Sequence, residues 1–237
     1  MTEFCVCSSL IPKEAEVTLA QRYRVVKLPP DSTLDTPIQC HPDSIFAVIG
    51  DELIVPRQYY TAHPDVMAEI ASLGGFRLTL SDAPRGSVYP SDCGMNAAVG
   101  RDFLICHPNA AAPELLDAAG RAGLRIVPVR QGYAGCSCLV TDAAVLTFDA
   151  GIARTLEKTG IPSLLLTPGG VELPGYACGF FGGACGFHDG VISVCGDVSS
   201  LPCRNALEDF ARSCGYVIRS LASGPVTDVG GIRFYPN

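Results

Sequence analysis

The stretch Phe46-Ala-Val-Ile-Gly-Asp-Glu-Leu-Ile-Val55 decides the fold: an apolar run, a tight polar turn and a second apolar run. It reads as a β-hairpin, because Gly50-Asp51 supplies the positive φ and the self-bonding side chain that a tight turn requires. Four more stretches have the same build: Asn96 to Ile105, Cys138 to Thr147, Ala184 to Ser193 and Val226 to Tyr235. Their turns are predicted at Gly100-Arg101, Thr141-Asp142, Asp189-Gly190 and Gly230-Gly231. The spacing of about 40 to 50 residues is a repeat period, so one structural unit recurs along the chain.

After each of the first four hairpins comes a helical pattern, a glycine stop and one more strand, which makes the unit ββαβ. Counted back from Gly75, Gly123, Gly160 and Gly215, one position holds Met67, Leu115, Ile152 and Leu207. Four residues on come Ala71, Ala119, Leu156 and Ala211, on the same helix face. The closing strands are predicted at Phe76–Leu80, Leu124–Val129, Ile161–Leu166 and Tyr216–Leu221, each just past a glycine suited to a helix C-terminus. Helix starts are predicted at Pro64-Asp65, Pro113-Glu114, Asp149 and after Pro202.

No helix follows the fifth hairpin, but a helix over Lys13–Ala20 and a strand over Tyr23–Leu28 give the matching αβ half at the other end of the sequence. The fold class predicted is therefore α/β: a five-bladed α/β propeller of ββαβ modules whose fifth module is split between the termini. Joining those halves would leave no open sheet edge between first and last modules. The modules are placed at about 40–80, 92–129, 134–167, 182–222, and 225–237 with 12–28, within one domain spanning 1–237.

The 237 residues are 48% hydrophobic and 17% charged, enough for a core and far from the bias of disorder. No apolar run approaches the roughly 20 residues of a membrane helix, and the start lacks a basic then apolar leader, so the expected setting is cytoplasmic and off the membrane. A net charge of −7 without any Lys/Arg cluster excludes nucleic acid as the expected partner. Twelve cysteines without an export signal read as reduced thiols, most of them small buried hydrophobes. The pairs Cys5/Cys7 and Cys136/Cys138 do not have the spacing of common zinc sites, so no metal and no cofactor are expected. The glycine-rich run Gly175 to Gly186 lacks a lysine and leads into a strand, which argues against a phosphate cradle.

In a ring of such modules the first strands gather around the axis. Strand parity puts Val99, Ala97, Val140, Cys138, Phe187 and Cys185 on an apolar face beneath the helices, and Asn96, Ser137, Ala184 and Asp228 on a face toward an axial channel. Ser91-Asp92-Cys93-Gly94 and Gln131-Gly-Tyr-Ala-Gly-Cys136 would crowd one channel mouth. Cys136 is the candidate nucleophile, provided that Gly135 bends the backbone and a base or positive field lowers the thiol pKa. Asp92 and Asp228 are candidates to orient a cationic substrate or hold a general base. Asn96, Gln131 and Ser137 are the candidate ligand-binding residues. The four histidines, His41, His63, His107 and His188, read as loop residues outside this set.

The modular plan, together with Gln131-Gly-Tyr-Ala-Gly-Cys-Ser137, Leu146-Thr-Phe-Asp149, Gly179-Phe-Phe-Gly-Gly-Ala-Cys-Gly186 and Gly196-Asp197, resembles the pentein fold of the guanidino-group-modifying enzymes, and within it a branch of unknown function. That resemblance covers essentially the whole chain and implies hydrolysis of a C–N bond of guanidino or amidino type. Arginine deiminases, agmatine deiminases and dimethylarginine dimethylaminohydrolases carry a nucleophilic cysteine in the last module near the C-terminus, with a histidine and acidic residues about the channel. Here no cysteine follows Cys214, so no catalytic residue transfers by position. Other pentein proteins catalyse nothing and bind ribosomal subunits. The expectation is a protein that binds a small cationic or amide-bearing metabolite in its central channel, with Cys-dependent hydrolase or deiminase-like chemistry through Cys136. The alternative is a non-catalytic interaction module of the same fold, with a protein partner or a second copy of the chain bound to it.

Overall fold

In the computed structural model, which describes residues 3–235, four of the five expected hairpins form. Residues 1–2 and 236–237 of the expected single domain lie outside the described residues. Ala47–Ile49 pairs antiparallel with Glu52–Pro56, Ala98–Val99 with Phe103–Cys106, Cys138–Val140 with Val145–Thr147, and Cys185–His188 with Val191–Val194. The second and third turns sit one residue later than predicted, at Arg101-Asp102 and Asp142-Ala143. Gly100 N–H donates to Phe103 O and Thr141 N–H to Ala144 O, which extends each ladder by one step.

Every hairpin is completed by a strand parallel to its second member: Arg77–Ser81, Arg125–Pro128, Ser163–Leu165 and Val217–Ser220. The helices between are Pro64–Gly74, Pro113–Arg121, Ala150–Thr159 and Arg204–Cys214. The helix-face pairs are buried as the periodicity requires, with only Ala71 partly so. Fully burying a side chain such as Leu156 contributes about 1.5–3 kcal/mol. Asp149 caps its helix by accepting from Gly151 N–H at 2.7 Å and Ile152 N–H at 2.9 Å. Gly75, Gly123, Gly160 and Gly215 take φ between 64° and 71°, the left-handed conformation that stops a helix cheaply only at glycine.

The fifth unit is assembled differently from the prediction. Val226 to Tyr235 is not a hairpin: Val226–Thr227 pairs in parallel with Val171–Glu172, and Arg233–Tyr235 pairs antiparallel with Phe4–Ser8. Phe4–Ser8 is the central strand of its sheet, with Arg24–Leu28 on its other side after the helix Lys13–Ala20. The split thus falls after the first strand rather than after a hairpin. Its cause is the turn between Asp228 and Ile232, where Gly230 and Gly231 have φ of 75° and 80°. Val229 and Gly231 N–H groups both donate to Gly183 O, and Ile232 N–H to Cys185 O, so these residues bond to the neighbouring unit instead of to each other.

The result is a mixed α/β architecture of small sheets, with no closed barrel: five three-stranded sheets and one two-stranded sheet among the described residues. Four of the five apolar clusters join residues of two neighbouring three-stranded sheets, and the fifth joins the terminal sheet to residues just past Val191–Val194 and Val217–Ser220. Val26 and Leu28 pack with Leu53 and Val55; Ile49 and Ile54 with Leu104 and Leu115; Ile105 and Val127 with Val145 and Ile152. Leu139 and Leu146 pack with Ile192 and Val194, and Cys195 and Leu221 with Cys5, Cys7 and Leu19. The first strands of all five three-stranded sheets border a single cavity of about 230 Å3, with Val48, Val99, Val140, Phe187 and Phe234 on its wall. No helix among the described residues is long and apolar enough to cross a membrane.

Candidate functional site

Strand parity fails just ahead of the first strands, because the backbone there is helical: Pro42–Ile45 and Ala134–Ser137 are single α-turns and Gly182–Ala184 is a 3-10 turn. These short turns, the bend that carries Asn96 and the turn at Asp228 meet one another. Three glycines make the contact possible. A Cβ on Gly135 would stand 2.9 Å from Asn96 Oδ1, one on Gly183 would overlap the Asp228 carboxylate, and one on Gly230 would overlap His41. The glycine-rich run is therefore a seat for side chains of neighbouring units rather than a loop for an anion.

Gly135 lies in the turn that carries Cys136, the bend that parity alone did not supply. Asn96 grips Cys136 from both ends: its Nδ2 donates to Sγ at 3.0 Å, and its Oδ1 accepts from Cys136 N–H at 3.1 Å. Nδ2 also donates to Ser44 Oγ at 3.2 Å, and Ser44 Oγ donates to Asp43 Oδ1 at 3.2 Å. Arg85, itself buried and paired with Asp31 at 2.7 Å, donates to Ser44 O at 2.7 Å and fixes that turn. Asp43 Oδ2 is buried with no hydrogen-bond partner. Burial, reinforced by the Asp43 and Asp228 carboxylates, pushes the Cys136 thiol well above its ordinary range. The resting residue is thus a thiol, contrary to the lowered pKa that the sequence reading asked of a nucleophile.

Asp228 is 3% exposed; its Oδ2 accepts from Phe180 N–H at 2.8 Å and its Oδ1 from Gly230 N–H at 3.0 Å. Burial raises its pKa from 3.8 to about 6, with His41 pulling down and Asp43 pushing up. His41 Nδ1 stands 3.8 Å from Asp228 Oδ1. His41 is a loop residue as expected, directly before Pro42–Ile45, but it does not lie outside the candidate set: it is buried beside the Asp228 carboxylate. Counting back from the first hairpin turn would have found it: Ser44 and Cys136 stand equally far ahead of the residue that opens their turns, Ile49 and Thr141, and His41-Pro-Asp-Ser44 is the first unit's version of the same segment.

Cys136, Asp228, His41 and Ser44 line one cavity of about 260 Å3. Its remaining wall is mostly apolar, from Ile38, Leu173, Ala177 and Phe180 with the rings of Tyr133 and Tyr176. The other predicted site residues fall at different distances from it. Asn96 lies behind Cys136. Asp92 is buried behind Tyr133, whose hydroxyl donates to Asp92 Oδ2 at 2.5 Å. Gln131 Oε1 accepts from Tyr133 N–H at 3.1 Å, and Gln131 borders a separate surface cleft near Asp149 instead of this cavity. Ser137 is buried with an unpartnered hydroxyl and does not line the cavity, and Ala184 packs in an apolar cluster, so the channel face assigned to them by parity is corrected. Asp43 and Ser44, like His41, were absent from the sequence-derived set.

The profile of a family of unknown function, DUF6873, matches residues 6–233. No curated protein sequence matches the chain. Among solved structures, a dimethylarginine dimethylaminohydrolase carrying a 4-chloro-2-hydroxymethylpyridine adduct is similar with a TM-score of 0.59 at 9% identity, over 99% of this chain and 100% of the other. The Pseudomonas aeruginosa dimethylarginine dimethylaminohydrolase in complex with citrulline gives 0.57 at 10% identity, over 94% and 92%. An amidinotransferase of saxitoxin biosynthesis from Microseira wollei gives 0.55 at 15%, over 88% and 72%. The chain shares the pentein fold with these guanidino-modifying enzymes.

Proposed function

The chain belongs to the family of unknown function DUF6873, and we propose that it binds a small organic cation in the pocket floored by Cys136 and Asp228, with thiol-dependent hydrolysis of a guanidino- or amidino-type C–N bond as its reaction. The observation that carries this reading is the charge at the pocket: Asp228 lines it, buried beside His41, and Asp43, next in sequence to the lining residue Ser44, is buried behind it with Oδ2 unpartnered among the described residues. A cation supplies what those carboxylates lack. The scaffold proposed is a five-bladed propeller closed by its two ends. Its support is the cyclic sharing of the five apolar clusters and the common cavity of the first strands. Twelve free cysteines favour a reducing, cytoplasmic setting.

The same carboxylates explain how a protonated thiol would be used. With the pocket empty they disfavour a neighbouring thiolate; a bound amidinium neutralises them and favours it, so activation follows occupancy. Cys136 Sγ would then attack the amidinium carbon while its proton passes to His41, and the C–N bond would break with the departing amine taking that proton from His41. Water would add to the sulfur-bound carbon, giving one proton to His41, after which the C–S bond would break and that proton would return to sulfur. Asn96 acts as a positioning residue for the sulfur. Because the resting thiol is held protonated, a second reading stands beside the first: a non-catalytic module of the same fold that binds without turnover.

One pair of alkylating reagents tests the proposal. 2-Chloroacetamidine is cationic and 2-chloroacetamide is its neutral counterpart; at pH 7.5 the cation should modify Cys136 faster, by peptide mass spectrometry, and Asp43→Asn and Asp228→Asn should each erase that preference. Equal rates for both reagents at Cys136 in the wild-type protein would remove the cation site. A preference for the cation without turnover of any guanidine or amidine would leave the binding reading alone.

A further inference from the structure

Among the described residues, the wall above Asp228 carries no lysine or arginine. The nearest buried guanidinium, Arg85, is committed to Asp31 and Ser44 and does not reach the cavity. The collar is hydrocarbon and ring: Leu173 and Ile38 are each 7% exposed, and Tyr133 stands against Phe180 with ring centroids 5.9 Å apart. An aromatic collar over a carboxylate floor suits a delocalised cation, whose charge it can also face through its π-electrons. It offers nothing to a carboxylate, which on entering would lose its hydration with no counter-charge to replace it. The volume of about 260 Å3 lies below the roughly 300–1,000 Å3 of pockets for drug-sized ligands, so the occupant is small.

From this we infer that the ligand is a monocationic guanidine or amidine bearing a short, uncharged, apolar substituent, and that zwitterionic amino acids and guanidino acids are excluded. The inference rests on the cation-site reading above and narrows it to one class. It divides guanidino compounds by what lies at the far end of the chain: an alkyl group meets Leu173, Ile38 and Phe180, whereas a carboxylate meets the same surface unpaired.

Calorimetric titration at pH 7.5 with butylguanidinium, 4-guanidinobutyrate and arginine provides the test. Butylguanidinium should saturate one site, and the two carboxylate-bearing compounds should bind at least about a hundredfold more weakly, the scale set by an unpaired buried charge. Ala177 lines the mouth on an exposed segment, so Ala177→Lys places a counter-charge there without disturbing the core. In that variant 4-guanidinobutyrate should gain about tenfold or more while butylguanidinium loses affinity. Equal or tighter binding of 4-guanidinobutyrate or arginine by the wild-type protein, lost in Asp228→Asn, would overturn the ligand class and leave the cation site standing. Failure of all three to bind at millimolar concentration, together with equal alkylation by the two chloroacetyl reagents, would overturn both.

Discussion

Asp228→Asn should make the protein relatively more stable as pH rises, by an amount that follows from one carboxyl group. In the folded chain Asp228 titrates at about 6 against an ordinary 3.8, because burial disfavours its charge more than two N–H donors and His41 favour it. A raised folded pKa means that folding stability is complete below 3.8, falls as pH rises and reaches its full loss above about 6. At about 1.36 kcal/mol per pH unit the total is about 3 kcal/mol, of which about 1.4 kcal/mol accrues between pH 5 and pH 7.5. Asn cannot ionise, and it leaves one of the two N–H donors without its acceptor, at a cost of about 1–3 kcal/mol that does not change with pH. Comparing the variant with wild type therefore separates the titration from that cost and from groups that do not interact with Asp228. Urea unfolding at pH 5, 6 and 7.5 measures it: the difference should move by about 1.4 kcal/mol in favour of Asn across the range. A difference constant with pH, or one moving in favour of wild type as pH rises, would refute the placement of Asp228 as a buried carboxyl that titrates near neutrality.

The same titration governs ligand affinity. With only about a tenth of Asp228 ionised at pH 5, butylguanidinium should bind about tenfold more weakly there than at pH 7.5, read by calorimetry; a flat profile would separate the cation from Asp228. In the folded apo protein, Ellman's reagent should find Cys178, which is exposed, first and Cys214, half-buried, next, with the buried thiols released only on unfolding; rapid reaction of Cys136 without a cation would contradict its raised pKa. A circular permutant that joins the present termini by a short linker and opens the chain between Asp142 and Ala143 should fold with an unchanged circular dichroism spectrum, because Phe4 pairs with Tyr235; a permutant that aggregates would argue against the terminal sheet. Gly183→Ala should destabilise by about 1–3 kcal/mol in urea and abolish cation binding, since its Cβ overlaps the Asp228 carboxylate, whereas Gly120→Ala, facing open space within a helix, should be neutral or stabilising.

What was legible in the sequence was what depends on local period and on turn chemistry. Met67, Leu115, Ile152 and Leu207 repeat because each faces a sheet at the same helical phase, and the glycines that end those helices are fixed by a backbone angle that other residues avoid. Pairings between distant segments left weaker traces. Gly230-Gly231 has the composition of a hairpin turn, yet its amides are taken by Gly183, so composition announced a turn without revealing its partner. Phe4–Ser8 leaves no alternating trace in the sequence because FCVCS is buried along its whole length, and a strand covered on both faces shows no alternation. His41 is hidden for a similar reason: its proline neighbour marks a loop, and only the register of the repeat shows that this loop reaches the same cavity as Cys136.

That register suggests why one repeated unit can carry an asymmetric site. The side chains that matter stand in the few residues before each first strand: Asp43 and Ser44 before Ala47, Asn96 before Ala98, Cys136 before Cys138, Gly183 before Cys185, and Asp228 before Arg233. Core packing constrains the strands and helices of every unit to nearly the same apolar pattern, because the clusters join neighbouring sheets. The short turns ahead of the strands escape that constraint and still converge, so each is free to present a carboxylate, an amide, a thiol or bare space. Gly183 shows that the last of these is as specific as the others: the room it leaves is filled by the Asp228 carboxylate of another unit, near a thiol that burial first, and that carboxylate and Asp43 second, keep protonated. Two buried carboxylates with one imidazole beside them are costly to the empty fold, and the proposed cation would offset that cost on binding.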